Sequence, residues 1–541
     1  MSDIAPEPDA TRPFLPLWGA VLLAAAAGPV TDAAFPELGW WPLAFVGVAM
    51  VLVAAQGRRA GAGFLVGFVF GLSFYLVHIP WMTEFLDSDE AWIVRAVPWF
   101  ALSALMALWC ALGTMLIAVA TRVVPRAVRT PLGRMLFVPL VVAGLWTARE
   151  AVASVWPYGG FAWGRISESQ SDSPIAPLFA WIGISGVGFV MVFLVAVAVA
   201  ASRETRTPVV LRAMLVTALA AILVAFPAFP VRSDGTLRVG AVQGNGKTGY
   251  FHHAENAEDN LLAQYDATRP VYAEDVDLVV WPEGASDLDP LRVAWAASVF
   301  DAVSRDADAP LVGWSVTKRG DEYFNSSLLW RAGEGALDHY DKRHPVPFGE
   351  YVPDRQLWRG FAPDLIDLIQ REYTPGTTDA VMDVGSDGRS VLAGFAICFD
   401  IVDDALLREG VQEGAQLIIA QSNNADFGHS DESVQQLAIA RIRAIELGRA
   451  VVNISTVGES AVILPDGTIA ASLPRYTAAA MVEDVPLSTT TTPAALVGAG
   501  IPWLVTALAL GALIGAALGG RRTPAPTAAR AAAKHRPPLV E

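Results

Sequence analysis

The chain has 541 residues, 53% hydrophobic and 17% charged, with a mean hydropathy of +0.41. Soluble domains carry about a quarter charged residues, so a wholly soluble protein is excluded and a membrane part is implied. A net charge of −16 excludes nucleic acid as a partner, because the phosphate backbone demands a basic surface.

The apolar residues are concentrated before residue 230 and after 494. Seven runs come first, at about 14–30, 36–55, 61–80, 96–121, 133–155, 176–201 and 208–229, and an eighth covers 494–520. Each approaches the roughly 20 residues that span a bilayer as helix, which predicts eight transmembrane helices. The first run is short and holds Gly28 and Pro29. It lacks a basic start and other spans follow at once, so it reads as a span and not as a cleaved leader. Arginines mark alternate loops: Arg58 and Arg59; Arg122, Arg126, Arg129 and Arg134; Arg203, Arg206 and Arg212; and the basic tail from Arg521. The loop after the third run is instead acidic, with Glu84, Asp87, Asp89 and Glu90. By the bias of basic residues toward the cytoplasm, both termini are expected inside and residues 231–493 outside. Trp40, Trp41, Trp81, Trp156, Tyr158 and Trp163 lie near helix ends, as an interfacial belt would. Cys110 sits among Leu108, Trp109 and Leu112 within a span and is assigned no role. A disulfide with Cys398, the other cysteine of the chain, is excluded by that position.

From 231 the period changes. Short apolar strands are predicted at 237–243, 275–281, 310–316, 325–330, 390–398, 415–421, 450–456 and 461–464, and the close spacing from 310 to 341 suggests antiparallel pairs. Helical patterns lie near 254–273, 288–307, 403–413 and 432–449. Strands alternating with helices predict an α/β domain. The division is therefore a seven-helix region (1–230), an outer catalytic domain (231–493), an eighth helix (494–520) and a disordered cytoplasmic tail (521–541).

Three segments of the outer domain carry chemistry. Glu283, in Trp281-Pro-Glu-Gly284, follows a buried strand, where a shielded carboxylate can serve as general base. Lys342 and Glu350 lie in a segment rich in proline, Tyr340 to Pro353, which would fix an ammonium able to stabilise an oxyanion. His344 in that segment has no second ligand at metal spacing and reads as structural. Cys398 ends an apolar strand before a helix, whose positive end would favour thiolate. Alone, each has an ordinary alternative: a solvated turn glutamate, a charged surface loop, an inert core thiol. Together they supply a base, an oxyanion stabiliser and a nucleophile for covalent acyl transfer.

The residues Val280-Trp-Pro-Glu283, Lys342, His344-Pro-Val-Pro-Phe-Gly-Glu-Tyr-Val-Pro353 and Ile397-Cys398 resemble the Glu, Lys and Cys motifs of the nitrilase superfamily, in the same order. The loop Pro347-Phe-Gly-Glu-Tyr-Val-Pro353, with Ser422-Asn423, Phe427-Gly428 and Arg441-Ile-Arg-Ala-Ile-Glu446, resembles the superfamily's membrane branch, the apolipoprotein N-acyltransferases. The resemblance implies an extracytoplasmic α/β nitrilase-like domain built as an α/β/β/α sandwich, between the seventh and eighth spans. It implies transfer of an acyl chain from a phospholipid, typically phosphatidylethanolamine, to Cys398 as a thioester. The chain then passes to the α-amino group of the diacylglyceryl-modified cysteine of an apolipoprotein. Glu283 would be the base, Lys342 the oxyanion stabiliser and Glu350, Phe399 and Asp400 supporting residues, in a bacterial cytoplasmic membrane. The sequence departs from the family pattern at Phe399 and Asp400, where Tyr-Glu is common, and at Asn424 and Asp426, where Asp and Trp are common. No metal or organic cofactor is implied. A membrane-tethered amidase, passing its thioester to water, would use the same residues. A transporter with an inert enzyme domain is disfavoured, because few ionisable residues interrupt the spans.

Overall fold

The computed structural model describes residues 11–85, 92–246, 257–386 and 388–519. Asp87, Asp89 and Glu90, the start of the helix expected from 254, the last residue of the eighth run and the tail at 521–541 lie outside the described residues.

All eight apolar runs become helices: α1 (Leu17–Asp32), α2 (Pro42–Ala55), α3 (Ala60–His78), α4 (Trp92–Ala127), α5 (Pro131–Ala153), α6 (Phe179–Arg203) and α7 (Val209–Val224), with the eighth near the C-terminus. Five are long and apolar enough to cross a membrane: α3, α4, α5, α6 and the last; α1, α2 and α7 are shorter. The limits differ from the sequence reading where proline intervenes. Turns occupy the residues before Pro42, which opens α2 with its fixed φ, and α7 stops three residues short of Pro227. The contact of α3 with α4 rests on Gly63, Gly67 and Gly71, spaced one helical turn apart. A Cβ on Gly67 would lie 2.5 Å from the Cys110 carbonyl oxygen. Small residues at that spacing let helix backbones touch, which is how association proceeds in an apolar solvent.

The second half of the chain continues through β1 (Thr236–Gln243), α8 (Ala257–Thr268), β2 (Leu278–Val280), α9 (Ala294–Asp306), β3 (Leu311–Arg319), β4 (Glu322–Arg331) and β5 (Gly335–Asp341). Short α10 (Arg355–Arg359) and α11 (Pro363–Ile366) lead to β6 (Val381–Asp383), β7 (Leu392–Ile397), α12 (Asp404–Gln412) and β8 (Leu417–Ser422). Then come α13 (Glu432–Leu447), β9 (Ala450–Ser455), β10 (Ser460–Ile463), β11 (Ile469–Leu473) and β12 (Ala479–Pro486), before α14 (Pro493–Val497) and α15 (Gly500–Gly519). The eighth run is thus split in two.

The strands form two sheets of six, ordered β12-β1-β2-β3-β4-β5 and β11-β10-β9-β8-β7-β6. Alternate side chains of both, such as Val239, Ala241, Leu278 and Val280 against Phe395, Ile397, Leu417, Ile419 and Val452, fill one core between the sheets. The intervening residues face outward. Val242, Val279 and Leu311 pack under Leu261 of α8 and Phe300 of α9, while Ala396, Ile418 and Val451 pack against α13. This is an α/β/β/α sandwich, dictated by a side-chain period of two on strands buried on both faces.

Helix α13 has no solvent face to speak of. Ile439, Ile442, Ala444 and Ile445 belong to an apolar cluster that runs on without interruption into Ile184, Val187 and Met191 of α6 and the other helices of the first half. Polar contacts fix the seam. The Gln435 side-chain oxygen accepts from the indole N–H of Trp163 (2.7 Å) and of Trp81 (3.3 Å), and its amide donates to the His78 carbonyl (3.2 Å). Trp81 and Trp163 are therefore buried at the seam and do not stand in an interfacial belt, whereas Trp40 and Trp156 are exposed. At Gly183, φ is +67° and α6 is kinked; a Cβ there would meet Glu446 Oε1 at 2.9 Å. That oxygen accepts instead from the Ile184 amide (3.3 Å).

Gln435→Leu removes the shared partner of two indoles and a carbonyl. Stranding a buried polar group costs about 1–3 kcal/mol, so the variant should melt several degrees lower in detergent. An unchanged melting temperature would show that the seam does not depend on this amide.

Candidate functional site

The site forms where strand ends from the two sheets meet. Glu283 follows β2, held by the packing of Trp281 against Phe300 (ring centroids 5.3 Å apart). Lys342 follows β5, and its amide donates to the Asn325 carbonyl of β4 (2.8 Å). Lys342 is thus anchored by the end of a strand, and not by the proline-rich loop as the sequence suggested. The loop's task is to return Glu350. Glu350 N donates to the Val346 carbonyl (2.7 Å) and Val346 N to Glu350 Oε2 (2.6 Å). Phe348 takes φ +61° in that tight reversal. Cys398 follows β7 and opens a 3-10 turn, Cys398–Val402.

These elements bring Glu283, Lys342, Glu350 and Cys398 together. The Lys342 ammonium lies 2.8 Å from Glu350 Oε2. Asn325 links the two carboxylates: its side-chain amide donates to Glu283 Oε1 (2.8 Å) and Glu350 Oε1 (2.9 Å), while its oxygen accepts from the Trp314 indole (2.5 Å). The other Glu283 oxygen accepts from the Asn423 amide (3.0 Å). Glu283, Lys342 and Glu350 are all buried.

Burial raises the Glu283 carboxyl above its ordinary value; Lys342 opposes the shift and Glu350 adds to it. Burial would lower the Lys342 ammonium, but Glu350, Cys398 and Glu283 outweigh it and raise it, so the amine stays charged. The Cys398 thiol is raised well above its ordinary value by burial and by Glu283, against the pull of Lys342. The expectation that a helix N-terminus favours thiolate is therefore wrong here. The next helix, α12, begins at Asp404 and is capped by Asp403, whose carboxylate accepts from the Ala405 and Leu406 amides (2.7 Å each). Burial and the neighbouring Glu283 thus favour the neutral thiol at rest.

The Cys398 backbone has φ +53°, a left-handed conformation that costs a non-glycine residue about 1–3 kcal/mol. Its turn is buttressed from beneath. Asp400 Oδ2 accepts from the Tyr340 hydroxyl (2.9 Å) and the Ile397 amide (3.2 Å). Asp400 so shapes the turn, and Asp400 and Asp403, both 3.7 Å from His344 Nδ1, raise that imidazole's pKa, Asp400 most. Phe399 points to the helical half, stacked on Trp163 (6.2 Å, 5° between planes) and Phe161 (5.9 Å, 15°). Phe427, after β8, lies edge-on to Trp81 (5.2 Å). Aromatic rings from both halves thus pack together, with Phe399 next in the chain to the thiol.

Sequence reasoning missed three residues. Asn325 had one signal: with Ser326 and Ser327 it forms a polar triplet inside an otherwise apolar strand. Gln421 ties the sheets, donating to the Trp281 carbonyl (2.6 Å) and accepting from the Ser327 hydroxyl. Glu432 is buried at the start of α13; burial pushes its carboxyl up to about 8, against a hydrogen bond from Asn424 (2.6 Å). Asn424 also donates to Gln436 (3.1 Å) and accepts from Ser422 and Ser455, so the departure from Asp at 424 is matched by partners that need its second donor.

Removing Lys342, the cation that pulls the thiol's pKa down, should raise it further. In Lys342→Met, alkylation of Cys398 by iodoacetamide should need a higher pH than in the wild type, read by mass spectrometry of the modified peptide. A shift to lower pH would refute the coupling.

Residues 27–197 match the model of the apolipoprotein N-acyltransferase N-terminal domain, and residues 238–494 that of carbon-nitrogen hydrolase. An apolipoprotein N-acyltransferase of Mycolicibacterium smegmatis is 32% identical over 499 residues, covering 85% of this chain and 79% of that protein. One from Shewanella oneidensis is 28% identical over 492 residues, covering 88% and 92%. Among solved structures, an amidase from Nesterenkonia sp. aligns at 18% identity and a TM-score of 0.36, over 48% of this chain and 94% of that one.

Proposed function

The chain belongs to the apolipoprotein N-acyltransferase family, and on that footing we propose that Cys398 carries an acyl group from a phospholipid to a lipoprotein amine. The protein is an acyltransferase acting on lipoproteins with phospholipid as donor. The observation that carries the residue assignment is the convergence of Glu283, Lys342 and Cys398, with Asn325 and Glu350 holding the first two.

In the first half-reaction the Cys398 sulfur attacks an ester carbonyl of the phospholipid as Glu283 takes the thiol proton. The Lys342 ammonium, fixed by Glu350, stabilises the oxyanion. The carbon–oxygen bond breaks, Glu283 returns the proton to the departing alcohol, and a thioester and a lysophospholipid result. In the second, the α-amino nitrogen of the diacylglyceryl-cysteine attacks the thioester. Glu283 takes a proton from the amine, the carbon–sulfur bond breaks, and the proton passes to the sulfur. Both substrates are anchored in lipid, and Phe399 beside the thiol packs on the helical half, so the thiol meets them at the bilayer surface. The aromatic cluster of Phe161, Trp163, Phe399 and Phe427 limits water, which would otherwise hydrolyse the thioester.

The finer reading has eight spans, divided from the catalytic domain near 230/231 and 493/494. Both termini are cytoplasmic, the catalytic domain faces outward from a bacterial inner membrane, and phosphatidylethanolamine is the donor. Arginines on alternate loops support the orientation. The competing hydrolase would release free fatty acid.

Incubated with phosphatidylethanolamine, the intact protein should gain one acyl mass on Cys398. Cys398→Ala should gain none, while Cys110→Ala acylates normally. Glu283→Ala and Lys342→Ala should each slow acylation by about a hundredfold or more. Because the Glu283 carboxyl is raised above 4.5, the reactive carboxylate is lost as pH falls through that higher value, and the acid limb of the rate profile should lie above pH 4.5. Acylation of Cys398→Ala at the wild-type rate would end the thiol mechanism.

A further inference from the structure

Helices α3 and α4 end, on the side away from the catalytic domain, in a basic cleft. The far side is fixed by contacts at the near one. The C-terminus of α3 meets Gln435 through the His78 carbonyl, and Arg95 near the start of α4 pairs with Glu84 (3.2 Å). The opposite ends, with Arg58, Arg59 and Ala60 at the start of α3 and Val119, Arg122, Val123 and Arg126 in the last turns of α4, line a cavity of about 330 Å³. No carboxylate lines it, although the chain as a whole carries −16.

Some other arginines at this end have protein partners. Arg134 pairs with Glu204 (2.7 Å), and Arg212 donates to the Ala201 carbonyl (2.6 Å). Arg58 is buried and committed to the carbonyls of Ala54, Leu15 and Pro16. It ties the start of α1 to the cleft and holds one guanidinium in the wall. Arg59, Arg122 and Arg126 differ: among the described residues none of them has a carboxylate partner. Three cations lining one cavity repel one another unless an anion joins them.

We propose that this cleft binds the phosphodiester headgroup of an anionic phospholipid in the leaflet opposite the catalytic domain. The guanidinium forks of Arg59, Arg122 and Arg126 would take the phosphate oxygens. Val119, Val123 and Ala60 give the acyl end an apolar wall, which suits an amphiphile and not a free ion. Basic pockets between membrane helices recognise anionic headgroups in this way. The site is remote from Cys398 and the inference does not rest on the acyl-transfer reading.

The test uses native mass spectrometry of the full chain in detergent. The lipids are ether-linked phosphatidylglycerol and phosphatidylcholine with matched chains, which cannot donate an acyl group. The wild type should retain phosphatidylglycerol at least tenfold better. The triple variant Arg59→Gln, Arg122→Gln, Arg126→Gln should lose that preference, and the corresponding triple lysine variant should keep part of it. Equal retention of the two lipids by the wild type, which needs no variant to read, would overturn the proposal. So would an undiminished preference in the glutamine variant, or inorganic phosphate binding as tightly as the lipid.

Discussion

The structure turns on one carboxylate shared between two buried arginines. Asp404 accepts from Arg165, in the loop between α5 and α6 (2.9 and 3.0 Å), and from Arg443 of α13 (2.5 Å). Arg443 in turn donates to the carbonyls of Ile401 (3.0 Å) and Val402 (2.7 Å) and pairs with Glu446 (2.6 Å). Those carbonyls belong to the turn that begins at Cys398. Burial works against the ionised Asp404, yet the two guanidiniums hold its carboxyl well below the ordinary range. Asp404 itself is 32% exposed, but removing it would leave the buried guanidiniums of Arg165 and Arg443 charged and short of a partner. A single network therefore fixes the strained turn, the helix behind it and the membrane-side loop at once. Height above the bilayer and thiol geometry are not independent variables.

The active centre shows the same economy. Three buried carboxylates, Glu283, Glu350 and Glu432, share the site with one ammonium, Lys342, which pairs with Glu350. Their environments separate them. Glu350 is committed to Lys342, Glu283 is divided between Asn325 and Asn423, and Glu432 has Asn424 while burial pushes its carboxyl up. Environments that push like groups apart let one kind of side chain hold different protonation states within one site. Asn325 keeps the first two from collapsing onto the lysine together, since its two N–H groups point to one oxygen of each.

What could be read in the sequence follows burial. The inner strands appeared because both of their faces are apolar. The four strands at the sheet edges, β5, β6, β11 and β12, are half solvated or very short. They left no apolar run to read, beyond the hint of antiparallel pairing before 341. The motif residues Glu283, Lys342 and Cys398 were legible because each sits at a strand end in an unusual local context. Gln421 was not, since it acts across the sheets from inside a strand, and neither was Asn325, which reaches Glu283 and Glu350 from inside β4; only folding reveals what lies opposite. The tryptophans were misread for a related reason. A tryptophan near a helix end is amphipathic whether it meets headgroups or another domain, and the partner that decides, Gln435, lies more than 250 residues from either.

The continuous apolar cluster from α6 through α13 to the second sheet has a consequence for the protein's history. Neither half owns its surface at the seam. A catalytic sandwich cut free would present Phe399, Phe427 and the isoleucines of α13 to water, along with an arginine and an amide robbed of their counterparts. A drift in packing on one side must be answered on the other. The two halves are thus bound to change as a pair, and exchanging one of them between distant relatives would yield a chimera whose parts are each sound and whose joint is not.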